Sequence, residues 1–156
     1  MKLASQIAKH FKEVHFGENW TGSSFKEIME GVTFEQATTK VQDLNTILTL
    51  VFHANYYVAA VLKVFQGEAL NAKDELSFDH PQLNSEAEWQ AFLAQVWKDA
   101  EAFADFVELL PDDCFDKDFT DKKYGNYYRN IHGIIEHTHY HIGQISLLKK
   151  MLNFEF

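Results

Sequence analysis

Residues 131–145 read IHGIIEHTHYHIGQI, and their periodicity decides how the rest of the chain is understood. At about 100° of rotation per residue, Ile134, His137, His141, Gln144 and Leu148 fall within about 80° of arc on one helical face. His132 and His139 point roughly the opposite way. A helix over about 126–152 therefore turns two imidazoles, one turn apart, toward the interior along with its apolar residues.

Working outward from that helix, the remaining sequence punctuates itself in the same way. Both prolines, Pro81 and Pro111, lie between apolar-periodic stretches. Residues 2–16 carry Leu3, Ile7, Phe11 and Val14 on one stripe and stop near Gly17. Residues 17–32 (GENWTGSSFKEIMEGV) read as a loop with one short helix whose apolar residues cover an end of the core. Thr33 followed by Gln36 fits a capping box, and no Gly or Pro interrupts 33–65, so one helix of about 50 Å is expected there. Residues 67–84 lack helical period. Ser85 with Glu88 opens a third helix to about Leu110, with Trp89, Phe92, Val96, Phe103, Val107 and Leu110 as its stripe.

Connection lengths then select a topology. The stretch between the second and third helices could extend about 60 Å, enough to retrace a long helix. An all-α four-helix bundle running up, down, down and up, with that stretch as crossover, is expected over a single domain spanning 1–156.

A chain of 156 residues has the size of one domain. Hydrophobic residues at 46% and only 7 Gly and 2 Pro exclude disorder and collagen-like repeats. The formal net charge of −9 repels phosphate backbones and anionic lipid, so neither nucleic acid nor a membrane is expected as a partner. The single cysteine, Cys114, has no internal disulfide partner, and its acidic neighbours would raise a thiol pKa and blunt it as a nucleophile. The first residues regain charge too soon for a signal peptide, and no apolar run reaches the roughly 18 residues of a bilayer span. A cytoplasmic location is the expectation.

The chemistry concentrates in the histidines. On the second helix, Thr46, Thr49, Leu50, His53, Tyr57, Ala60, Val61 and Val64 share a stripe, which places His53 mid-way along another inward face. Three inward imidazoles from two helices suit three-point binding of a divalent metal, with at least one position open for water or substrate. Burying them without partners would cost about 1–3 kcal/mol each. A lone His53 would instead read as a hydrogen-bonded core residue. Gln144 and Tyr57, each one turn from a candidate ligand, could support the site; a backbone-bonded amide and a core tyrosine are the alternatives. Trp20, Phe25 and Tyr124 sit in loops that could roof a pocket. There is no P-loop, GxGxxG, GxSxG or paired ExxH.

The stretch His137-Thr-His-Tyr-His141-Ile-Gly143-Gln144, the histidine on a long second helix, and NWTG at 19–22 followed by VTFEQA at 32–37 resemble the DinB family along essentially the whole chain. That resemblance implies an up-down-down-up bundle with a three-histidine site for nickel or zinc, made here by His53, His137 and His141. It also implies an enzyme class: thiol-dependent transferases using low-molecular-weight thiols such as bacillithiol or mycothiol, with maleylpyruvate isomerases among their relatives. Where a basic residue frequently follows the last ligand in that family, this chain has Ile142. A thiol-dependent S-transferase acting on a small molecule is the leading expectation. A metal-dependent hydrolase and a non-catalytic metal- or ligand-binding or self-association module are the alternatives, and a homodimer is the expected assembly.

Overall fold

The computed structural model describes residues 2–153, so Met1 and 154–156 of the expected domain lie outside the described residues. Its helices are α1 (Leu3–Phe16), α2 (Phe25–Met29), α3 (Phe34–Thr38), α4 (Ile47–Phe65), α5 (Glu86–Leu109) and α6 (Tyr127–Asn153). Three short 3-10 turns join them, and among the described residues the only β-type pairing is an isolated bridge between Asp118 and Asn126. The four long helices contact one another in a ring: α1 against α5, α5 against α4, α4 against α6, and α6 back against α1. Within it, Phe11, Trp89, Phe103, Ile131 and Ile145 are wholly shielded.

The boundaries of α1, α5 and α6 fall within a residue or two of those expected. The uninterrupted helix over 33–65 is corrected. The Thr33–Gln36 capping box forms as read, but it opens only the five-residue α3, which ends at Thr38 with Thr39 as its C-cap. Gln42 takes a positive φ of 49°, and Thr46 restarts the helix by accepting a hydrogen bond from the Thr49 backbone N–H. Residues 39–46 include β-branched Thr39, Val41 and Thr46 with Asp43 and Asn45, types that disfavour a helix interior, so no Gly or Pro is needed to break the chain there. The surviving α4 is 19 residues, about 29 Å.

As expected, no uninterrupted apolar run among the described residues reaches bilayer length, although one helix is apolar enough on average. By length and composition α4 could cross a membrane, because Lys63, His53 and Asn55 interrupt its apolar run without lowering its average enough. Half of that segment is buried inside the protein, where α4 packs against α3, α5 and α6. Its deepest residues are Ile47, Val51, Ala54 and Val58, so the buried face is rotated from the expected stripe and His53 lies on its flank toward α6.

Candidate metal centre

α4 and α6 meet along the seam that carries the histidines. His53 is 8% exposed and His141 5%, while His137 is half-buried. The rings converge through their Nε2 atoms: His137 Nε2 lies 3.0 Å from His53 Nε2 and 3.0 Å from His141 Nε2. One donor nitrogen from each of the three lies within 4.8 Å of the others. Nitrogens held at about 2.0–2.1 Å from a common cation would stand about 3.0–3.4 Å apart, which the two shorter edges match.

The outer contacts decide which nitrogens face inward with lone pairs. Ser77 Oγ donates to the Asp74 carbonyl, so it accepts from His53 Nδ1–H at 2.9 Å. Gln144 Oε1 accepts from His141 Nδ1–H at 2.7 Å, its amide nitrogen donating in turn to the Tyr140 hydroxyl. Both rings are thereby held as Nδ1–H tautomers with Nε2 lone pairs aimed at His137. His137 Nδ1 is buried without a hydrogen-bond partner among the described residues. Whichever nitrogen of His137 carries the proton, at least one lone pair at the convergence point has no donor. A cation there would satisfy all three Nε2 atoms, so the donor set fits a divalent metal that takes neutral imidazole.

Burial keeps these rings neutral. Desolvation, with the neighbouring imidazoles adding repulsion, lowers the His137 pKa to about 4. His53 and His141 are lowered by desolvation as well, against the raising effect of their Ser77 and Gln144 hydrogen bonds. Neutral imidazole is the form that binds metal, so a cation meets little proton competition near neutral pH.

α4 contributes Tyr57 as well, but not as the sequence suggests. Its ring stands edge-on to His53 and His137, while its hydroxyl donates to Asp74 Oδ1 at 2.7 Å. Burial and this bond raise its pKa. Phe78 stacks on the His53 ring with centroids 4.0 Å apart. The 3-10 turn Asp74–Leu76 and the residues after it therefore deliver Asp74, Ser77 and Phe78 to the site from the segment between α4 and α5. No sequence signal marks them, because that segment has no period and its contacts to α4 are spatial.

None of the three expected roofing residues covers the centre. Trp20 is 98% exposed, Phe25 is buried against Trp97 and His15, and Tyr124 lies exposed before α6. His132, on the opposite side of α6 from the ligand pair as expected, is half-buried, its ring meeting Tyr128 and His10 between α1 and α6. Cys114 is buried, and desolvation with Asp113 pushes its thiol pKa up, as its acidic surroundings imply. Beside His137 opens a cleft of about 340 Å³ between α4 and α6. Set against protein-family models, curated proteins and solved structures, the chain matches none of them.

Proposed function

We propose that the protein is an up-down-down-up four-helix bundle of the DinB type that holds one divalent metal through His53, His137 and His141 and catalyses thiol-dependent transfer to a small molecule. The metal reading is carried by one observation: three Nε2 atoms converge with a lone pair that the protein itself leaves without a donor. The ring of helix contacts and the 20 residues at 66–85 between α4 and α5 support the topology. The likeness of the HxxxHxGQ motif supports transfer over hydrolysis, and nickel or zinc as the ion.

A divalent cation at this point would act as a Lewis acid, lowering the pKa of a thiol presented to its open side. The protein's own groups prepare that position. Ser77 and Gln144 hold the outer tautomers, Phe78 shields the His53 ring from water, and Asp74 draws the Tyr57 hydroxyl away from the imidazoles. The cleft beside His137 gives a substrate and its low-molecular-weight thiol a route to the centre.

Elemental analysis of untagged protein, followed by monobromobimane transfer assays with several thiols, tests this. The expected result is about one metal per chain, with His53→Ala and His141→Ala each losing metal and thiol-dependent turnover together. Protein that takes up no nickel or zinc overturns the metal reading. Full metal occupancy without thiol-dependent turnover overturns the transferase and leaves a binding module.

A further inference from the structure

Arg129 is the only arginine in the chain, and it lines the cleft that His137 borders. Both lie on α6 with Gly133 midway between them, two turns or about 12 Å apart along the axis. Gly133 opens the space between them: a Cβ built there meets nothing within 4 Å. Val61 and Ile134 supply apolar wall, and among the described residues no carboxylate lines the cleft, Asp74 standing behind the Tyr57 hydroxyl. The Arg129 guanidinium makes no hydrogen bond or ion pair with the described residues; only its backbone N–H is engaged, donating to Asn126 Oδ1. Its stem is placed by Gly125, whose φ is +78° and whose missing Cβ would come within 2.7 Å of Arg129 Cδ.

A guanidinium presents a planar fork of donors matched to a carboxylate, and here it stands over an apolar channel that ends at an imidazole. In a protein of net charge −9, a cleft without carboxylates and with one uncommitted cation is where an organic anion meets least repulsion. We propose that the cleft binds a small organic acid with an apolar middle, its carboxylate paired with Arg129 and its far end directed at His137. A lone guanidinium on apolar walls suits a monoanionic carboxylate better than a doubly charged phosphate. As the substrate subsite of the proposed metal centre this rests on the function argued above, but the two are separable by measurement.

The probes are hexanoate and hexan-1-ol, titrated into the full-length, zinc-loaded protein and followed by amide chemical shifts, with metal content measured beside each titration. Hexanoate is expected to shift the amides of Arg129 and Gly133 and to bind about three- to tenfold more tightly than the alcohol. Arg129→Gln should bring hexanoate to the level of the alcohol while leaving metal content unchanged. Gly133→Leu, a helix-favouring change that fills the cleft, should remove binding of both. Equal affinity for the two probes, hexanoate that still binds more tightly than the alcohol in Arg129→Gln, or hexanoate binding that persists in Gly133→Leu overturns the carboxylate subsite. Failure to take up either zinc or nickel with Arg129-dependent hexanoate binding intact overturns the metal reading and leaves the subsite standing.

Discussion

His137 has an Nδ1 without a partner among the described residues, whereas His53 and His141 each have one nitrogen committed to an oxygen outside the convergence point. The difference says which residues tune the centre: Gln144 Oε1 holds the His141 ring by one side-chain hydrogen bond, and Ser77 holds the His53 ring through Oγ at 2.9 Å with its backbone carbonyl 3.3 Å away, so losing either side chain leaves the imidazole present but less firmly oriented. Ser77→Ala and Gln144→Leu should each weaken metal affinity by about 10- to 100-fold, read by competition with a chromophoric chelator. An unchanged affinity in both would mean that packing alone orients the imidazoles. Of this network, Gln144 was legible three residues after His141 because a helix repeats every 3.6 residues. Ser77 was not, since it reaches His53 across 24 residues of chain without period. Tyr57 was legible by position only; that its hydroxyl belongs to Asp74 depends on where the intervening segment returns.

At the scale of elements, the helix starts are set by different reaches of the chain. α4 begins with a local cap, Thr46 accepting from the Thr49 N–H at 3.1 Å. Thr46→Ala should cost about 1 kcal/mol in urea unfolding, and a loss below a few tenths would show that the cap contributes little. α1 has no such residue: Lys2 offers no side-chain cap, and Asp112, from the turn after α5, accepts from the Leu3 and Ala4 N–H groups instead. Asp112→Ala should therefore destabilise by about 1 kcal/mol although it lies 108 residues from the helix it caps. Differential scanning calorimetry of the variant, with a transition as high as that of the parent protein, would contradict this. The Thr46 signal was in the sequence, yet it was masked by the fuller capping box at Thr33 and by the absence of any Gly or Pro between the two. The Asp112 cap had no sequence signature at all.

For the molecule as a whole, stability should depend on pH through histidines buried as neutral rings. His15 is 1% exposed, its Nδ1–H donates to the Phe11 carbonyl at 3.0 Å, and burial lowers its pKa from 6.5 to about 4. The unfolded chain then binds a proton that the native one refuses, so stability is full above about pH 6.5 and falls as pH drops toward 4. This ring alone should cost about 2 kcal/mol between pH 7 and pH 5, measured by urea titration at each pH. His15→Phe should flatten that dependence, and an unaltered slope would assign it to other groups. The number of long helices, most of their ends and the placing of His53, His137 and His141 on inward-facing turns were set by sequence alone, because helical periodicity is local and turns spacing directly into direction. Tertiary structure decided the break before α4, the delivery of Asp74, Ser77 and Phe78 to the histidines, and the cleft between His137 and Arg129. Those features depend on segments far apart in the chain meeting in space, and no local period encodes such a meeting.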